Sequence, residues 1–383
     1  MQNNQQKTGS DAVVEIAGAG IAGLTAAIIL AGAGRRVVVH EVQKGVGYRF
    51  GGDFQGLENW TTREDVLQSL ESLGLATDFT ALPCRNGTAF DPDGSRYEIN
   101  SREPLFYLVE RGPDPGTLDD ALLRQAQSLG VEVRFNSRLR RMEGEGILAA
   151  GPKAADAIAV GYHFETDMEE GYWVICDDEL APRGYAYLLV MNGRGTVKSC
   201  MFSGFKRERH YVQRTVETFQ RLAGLEMRNP RMHGGCGNFR IPRSACAGPH
   251  PMVGEQAGFQ DTLWGFGMRL AISSGVLAAR SLLNGENYDR LWQRELKPQI
   301  ETSVVNRAFY TLSGSLGYSW FLKHFLNGSD VRETLRRQYQ PSRGKWLLYP
   351  WARRRYRSQR SDVSCDHVDC NCIWCRGDCC ILD

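Results

Sequence analysis

Apolar positions recur along this chain on two different periods, and the change of period divides it. Near the start, the β-prone run Val13-Val14-Glu15-Ile16-Ala17 meets a glycine turn, and small and apolar residues from Ile21 onward follow with helical character. A second β-prone run, Arg36-Val37-Val38-Val39-His40, ends at Glu41. Thr61 and Glu64 fit a capping box, and Val66, Leu67, Leu70 and Leu73 predict an amphipathic helix ending at Gly74. Residues 76–110 look strand-like, with turns at Asn86-Gly87 and at Asp91-Pro92-Asp93-Gly94. Leu118 to Leu129 reads as a helix and Val131 to Phe135 as a buried strand.

From about Ile158 the period shortens. Four runs of apolar and aromatic residues, beginning at Ile158, Gly171, Gly184 and Gly195, are separated by short turns such as Asn192-Gly193-Arg194-Gly195. That spacing predicts an antiparallel sheet inserted into the first lobe. Helical character returns at about Tyr211 to Leu222, followed by a glycine-rich segment around Gly234 to Gly248. Pro251-Met252-Val253 then leads through Gly254-Glu255 and a loop holding Gly258, Gly265 and Gly267 into a helix over Arg269 to Leu283. Residues 284–330 read as helical and aromatic, with Phe309, Tyr310, Tyr318, Trp320, Phe321 and Phe325. The fold class expected is α/β. A discontinuous nucleotide-binding lobe spans 10–75, 101–150 and 211–290, and a sheet lobe for substrate spans 76–100 and 151–210. A helical, basic C-terminal region covers 291–360, and a cysteine-rich tail covers 361–383.

The first turn carries the most specific chemistry. Gly18, Gly20 and Gly23 form Gly-x-Gly-x-x-Gly between a strand and a helix, with an acidic residue about twenty positions on. Gly18 permits the tight turn, Gly20 lets backbone approach a pyrophosphate, and Gly23 lets helix and strand pack closely. Ala22 lies within the turn, and amides at the helix N-terminus face the phosphate charge. Glu41 stands where a carboxylate accepts hydrogen bonds from an adenosine ribose. The 254–268 loop can press backbone amides against a flat, polar ligand; a plain strand–loop–helix corner is the other reading.

Composition narrows the class. The chain has 383 residues, 42% of them apolar, enough for two lobes with real cores. A net charge of +2 does not suit a molecule built as a whole for nucleic acid. The polar start MQNNQQKTGS does not read as a signal peptide, and the most apolar stretch, Leu263 to Leu283, is interrupted by Arg269 and Arg280. The expectation is a cytoplasmic protein, with peripheral membrane contact left open. Cys84, Cys176, Cys200, Cys236 and Cys246 are dispersed and expected to be reduced and buried.

These motifs resemble the geranylgeranyl reductase family of FAD-dependent oxidoreductases, in the flavoprotein group that also holds the aromatic hydroxylases. The resemblance covers roughly residues 10–290. It rests on Gly18, Gly20 and Gly23 with Glu41, on Leu108-Val109-Glu110-Arg111, and on Val253-Gly254-Glu255 with Gly265-Phe266-Gly267-Met268. It implies that FAD is the cofactor, that Arg111 and Glu255 contact it, and that Gly267 and Met268 pack by the isoalloxazine. Glu255 stands where the family usually has Asp. Gly254 and Gly265 belong to the same loop. The family's Pro-x-x-Tyr-x-Trp-x-Phe motif, which lines a lipid pocket, is matched by Pro182-Arg183-Gly184-Tyr185-Ala186-Tyr187-Leu188-Leu189. Tyr187 replaces the Trp and Leu189 the Phe, so Tyr185 and Tyr187 are the candidate substrate residues. Their other reading is as sheet residues with no ligand.

The activity implied is reduction of carbon–carbon double bonds of an isoprenoid or other hydrophobic substrate; the alternative is an FAD-dependent monooxygenase of a hydrophobic or aromatic substrate on the same scaffold. A flavin halogenase is disfavoured because the Trp-x-Trp-x-Ile-Pro run of such enzymes does not occur. No second nucleotide motif is present, so electrons come from NAD(P)H docking transiently or from a ferredoxin-like protein. No catalytic acid is assigned; His163, His210 and His233 each read as structural or solvated.

Two features lie beyond this core. Residues 331–360 carry ten Lys or Arg and a single acid, Glu333, interleaved with Trp346, Leu347, Leu348, Tyr349 and Trp351. That mixture suits an anionic membrane surface, a solvated basic face or a docking patch for an acidic electron carrier. The tail holds Cys365, Cys370, Cys372, Cys375, Cys379 and Cys380. Its spacing admits zinc or an iron–sulfur cluster, thiol–disulfide exchange, or a plain reduced tail. The terminal Asp383 makes Cys380-Ile381-Leu382-Asp383 a poor prenylation signal.

Overall fold

A computed structural model describes residues 12–152, 155–239, 241–326 and 330–355. The chain begins with β1 (Val14–Ala17), α1 (Ile21–Gly32) and β2 (Val37–His40), the βαβ unit read from the glycine turn. It continues through β3 (Asp53–Glu58), α2 (Val66–Ser72), β4 (Ala81–Cys84), β5 (Asn86–Phe90), β6 (Arg96–Asn100) and β7 (Phe106–Arg111). Next come α3 (Leu118–Ser128), β8 (Glu132–Arg134) and β9 (Gly146–Leu148). The strands β10 (Ala157–Glu165), β11 (Gly171–Ile175), β12 (Tyr185–Met191) and β13 (Arg194–Met201) follow, then α4 (Glu208–Ala223) and β14 (Arg228–Gly237). The rest is mainly helical: α5 (Met268–Asn284), α6 (Tyr288–Glu295), α7 (Lys297–Leu326), α8 (Val331–Tyr339) and α9 (Arg343–Arg355).

Three sheets organise these elements. The first is parallel, in the order β8-β2-β1-β9. Its strands are short and its central ones apolar, as burial on both faces requires. Helix α1 packs on α5 and α3, and the crossing with α5 is close because small residues line it. A β-carbon at Gly275 would fall 2.4 Å from the Ala22 carbonyl oxygen. The second sheet runs β14-β10-β13-β12-β11-β5-β6 and the third β3-β7-β4.

The inserted sheet is antiparallel as expected except at one seam, where β11 pairs parallel with β5. The sheet also gains β14, an unexpected strand that runs into the glycine-rich stretch. Its pairing with β10 runs from Ala157↔Gly237 to Glu165↔Arg228. The cap of α2 differs too. Glu58 ties up Thr61, accepting from its backbone N–H and its hydroxyl. Asp65 is the N-cap instead, accepting from Leu67 N–H at 2.9 Å. Helix α7 is broken at Gly314, whose φ of 56° and ψ of −168° no helix contains.

The cysteines Cys84, Cys176, Cys200, Cys236 and Cys246 are free, and the first three are buried. Burial pushes the thiols of Cys84 and Cys176 up to about 12 and that of Cys200 up to about 11. The six tail cysteines, and with them the metal reading, lie outside the described residues.

Candidate active site

The three sheets enclose one cavity of about 1020 Å³, at the upper end of the range for small-molecule sites. At one end lie the glycine turn and Glu41. At the other lie aromatic and aliphatic side chains from the second sheet, α7 and α8.

The glycine turn is built for two jobs. Gly18 has φ of +111°, and a β-carbon there would fall 2.2 Å from the Ala149 carbonyl oxygen. A β-carbon at Gly23 would fall 2.1 Å from the Gly18 carbonyl oxygen. These two serve the fold. Gly20 differs: it caps α1, lines the cavity, and a β-carbon there would meet no protein atom within 4 Å. No side chain caps α1 and its first turn holds no acid, so its N-terminal dipole meets no charge from its own end of the chain. Ala22 lines the cavity beside it. Glu41 accepts from the backbone N–H of Ala19 at 2.8 Å and of Gln43 at 2.9 Å, which fixes the carboxylate at the cavity edge.

The second loop reaches the same space. Gly254 adopts φ of +57° and donates its N–H to Ser274 Oγ at 2.9 Å. The Glu255 carboxylate pairs with Arg49 at 2.5 Å, and both line the cavity. Gly265 accepts from Gln260 Nε2 at 2.7 Å, and Gly267 is the N-cap of α5, which begins at Met268 and again has no side-chain cap. Arg111 is buried: Nε and Nη2 donate to Asp119 at 2.7 and 3.0 Å, Nη1 donates to Gln55 at 2.8 Å, and the guanidinium lies over the Phe50 ring. It therefore meets the cavity as an anchored group rather than a mobile one.

Tyr185 and Tyr187 stand on the cavity face of β12, their ring centroids 5.9 Å apart. The Tyr185 hydroxyl donates to the Trp264 carbonyl oxygen, and its ring meets Trp264 edge-on. Burial holds both phenols well above the ordinary tyrosine range. Tyr172, Val174, Ile99, Leu105, Phe321 and Phe325 continue the apolar lining.

A charged group in this floor went unnoticed in the sequence. Lys198 Nζ lies 2.6 Å from Asp53 Oδ2 and 3.0 Å from His233 Nδ1. His163 Nε2 lies 2.9 Å from Asp53 Oδ1, and the Thr196 hydroxyl donates to the same oxygen at 3.2 Å. The His163 and His233 rings stack with centroids 4.2 Å apart. Asp53, His163 and His233 offer three ligand atoms within 4.8 Å of one another, as a metal site would. The Lys198 ammonium bonds two of those three residues and supplies the cation. Burial alone would raise the Asp53 pKa, but Lys198 and the hydrogen bond from His163 hold it far below the usual carboxylate range. Burial, then the Lys198 charge, lowers His233 to about 4. His210 sits apart, exposed on α4. The signal available in the sequence was the alternation Thr196, Lys198, Cys200, which puts Lys198 on the face of Tyr185 and Tyr187.

The residues present fit FAD: an open glycine cradle at an uncapped helix end, a carboxylate fixed beside it, and a second uncapped helix end facing the same cavity. No family model matches the chain. Among curated proteins it is similar to a digeranylgeranylglycerophospholipid reductase of Haloferax volcanii, at 23% identity over 78% of this chain and 84% of the relative. Among solved structures it is similar to a geranylgeranyl bacteriochlorophyll reductase-like protein of Thermoplasma acidophilum (TM-score 0.68, 15% identity, 89% of this chain and 97% of that one). A flavin-dependent halogenase (TM-score 0.58, 18% identity, 89% and 70%) and 2-methyl-3-hydroxypyridine-5-carboxylic acid oxygenase (0.58, 16%, 85% and 96%) share the fold. The fold and site thus define an enzyme of the FAD-dependent oxidoreductase class. Within that class its likeness is to the geranylgeranyl-type reductases named above, the resemblance its motifs implied.

Proposed function

We propose that this enzyme reduces carbon–carbon double bonds of an isoprenoid-type hydrophobic substrate. The observation that carries the reading is the continuity of one cavity, from the glycine turn at the start of α1 to a pocket of aromatic and aliphatic side chains. Bound FAD, once reduced, supplies hydride to such a bond. The chain's own residues do the rest. Gly20 and the N-terminus of α1 hold the diphosphate, and Glu41 takes the ribose. Tyr185 and Tyr187 form the wall along which an extended hydrocarbon lies, and the apolar lining keeps water from the reacting carbons.

The surface supports a lipid membrane as the substrate's source. Leu316 is 90% exposed and Trp320 63% on α7; Trp346 and Leu347 are exposed on α9, where Arg343, Arg353 and Arg354 are exposed too. Rings and basic groups of this kind suit the headgroup layer of an anionic lipid surface. Among the described residues, no helix is long and apolar enough to cross a membrane.

The test is a single turnover without oxygen. Photoreduced enzyme mixed with a lipid bearing geranylgeranyl chains should regain oxidised-flavin absorbance and yield a product with two more hydrogens per turnover. If reoxidation needs oxygen and the product carries a new hydroxyl, the enzyme is a monooxygenase and the reductase reading is wrong.

A further inference from the structure

Reducing a double bond takes a hydride on one carbon and a proton on its neighbour, and the proton needs a donor inside an apolar cavity. Burial raises the pKa values of the tyrosines and Cys200 lining the cavity, and the Tyr185 hydroxyl already donates to the Trp264 carbonyl oxygen. The charged group in the floor is arranged differently. Lys198 of β13 and His233 of β14 lie on strands separated by β10, and both are in register with Gly161 of that middle strand. A β-carbon at Gly161 would fall 1.8 Å from the Val197 carbonyl oxygen. With no side chain there, the lysine and histidine meet over the intervening strand at 3.0 Å.

That contact fixes the histidine's tautomer. An ammonium only donates, so His233 Nδ1 accepts and the ring proton sits on Nε2. The Nε2 partner is the Arg49 carbonyl oxygen at 3.4 Å, long for a hydrogen bond, so this proton is loosely held. Asp53 balances the lysine's charge and, through His163, anchors the ring stacked on His233. Both side chains line the cavity, Lys198 almost wholly enclosed at 1% exposure and His233 half-buried above it.

We propose that His233 is the proton donor to the substrate and that Lys198 reloads it through the opposite ring nitrogen. This rests on the reductase reading above. As hydride from the reduced flavin forms one C–H bond, the π bond breaks and the neighbouring carbon takes the proton from His233 Nε2. Nδ1 takes a proton from the Lys198 ammonium. The imidazole stays neutral and exchanges tautomers, and the lysine becomes an amine that regains a proton from water. Reduced FAD, where bound, would supply the hydride and with it both electrons that the double bond gains.

The first measurement uses the unaltered holoenzyme. ¹⁵N spectra of histidine-labelled protein at pH 7 should show His233 neutral, with Nε2 protonated. In Lys198→Met the fixed tautomer should be lost. The second uses His233→Gln, checked for folding by its bound-flavin spectrum. Anaerobic single-turnover reoxidation by the prenyl lipid should slow about 10²-fold or more, with partial rescue by added imidazole. The unaltered enzyme should show a solvent deuterium isotope effect on that step. Two results would overturn the proposal: His233 charged or protonated on Nδ1 in the resting enzyme, or His233→Gln reoxidised at the unaltered rate. If the unaltered enzyme is not reoxidised by the alkene at all, the reductase reading fails first, and the proposal falls with it.

Discussion

Replacing Gly20 and Gly23 separately with alanine tests whether one motif serves ligand and fold through different atoms. At Gly20 the backbone has φ of −75° and ψ of 174°, which alanine adopts without strain, and its β-carbon would point into open cavity. Two small effects on the apoprotein then oppose each other. Alanine is a poorer helix cap than glycine, but it restricts the unfolded chain, worth about 0.4–1 kcal/mol. The apoprotein's Tm should move by less than about 3 °C. FAD should suffer, because the new methyl occupies the space through which a phosphate approaches the amides. Losing one charge-assisted hydrogen bond costs about 1.5–3 kcal/mol, or roughly 10- to 150-fold in Kd. At Gly23 the order reverses. The β-carbon would sit 2.1 Å from the Gly18 carbonyl oxygen, about 1.3 Å inside the 3.4 Å at which ordinary contact begins, and the neighbour is backbone that cannot swing away. Overpacking of this kind costs about 1–3 kcal/mol or more, felt without any ligand. Thermal melts of the apoproteins and quenching of flavin fluorescence on titration separate the two. Gly20→Ala binding FAD within threefold of the unaltered protein would refute the placement of the diphosphate. Gly23→Ala melting unchanged would refute the packing argument.

Two further outcomes follow from charge and surface. The His233 pKa is lowered to about 4 in the native protein against an unfolded value near 6.5, so the unfolded state binds the extra proton between them. The stability this supplies is present above pH 6.5 and lost as pH falls toward 4, by about 3 kcal/mol at most. Asp261 opposes it: burial raises its carboxyl to about 6, so its own contribution declines as pH rises from 4 to 6. Denaturant melts of the unaltered protein and His233→Gln therefore have to be compared pH by pH; equal slopes from pH 6.5 to 4 would contradict the assignment. For the surface, vesicles rich in anionic lipid should pull the protein down on sedimentation and neutral vesicles should not. Trp320→Ser with Trp346→Ser should weaken that binding several-fold, and undiminished binding would exclude these rings as the contact.

What the sequence revealed depended on how local the determining contacts are. The β1–α1–β2 unit is written in consecutive residues, because the turn, the helix start and the acidic residue at the second strand are close in sequence and border one cavity. β10 to β13 were legible from alternation and short turns. β14 was not: Pro230, Gly234, Gly235 and Gly237 lack strand propensity, and the segment is a strand because β10 offers it a ladder. The cap of α2 went to Asp65 because Glu58 had already engaged Thr61, a contact the capping-box pattern does not contain. The break in α7 comes from a glycine whose left-handed backbone only tertiary packing reveals. In the site, Gly18 makes its turn with a positive φ, and Gly20 and Glu41 line the cavity. The floor group was missed because Asp53, His163, Lys198 and His233 come from β3, β10, β13 and β14. Each alone reads as an ordinary surface residue.

The energetics of that floor group bear on what it is for. Removing an ammonium and a carboxylate from water costs several kcal/mol per ion, and their mutual attraction often only recovers the loss. An apolar pair of similar volume between β3 and β13 would hold the sheets together as well or better. Stability therefore does not explain why Lys198 and Asp53 lie beneath a cavity whose other walls are largely hydrocarbon. Charge balance explains how they can be there: one cation, one anion and a histidine kept neutral sum to zero, so the floor group adds no net charge to the pocket. The same balance leaves one mobile element, the proton shared along Lys198, His233 Nδ1 and Nε2. On the reductase reading proposed above, a floor that is apolar under Tyr172 and Val174 and proton-bearing under His233 would give a hydrocarbon chain one point of protonation for each double bond brought over it.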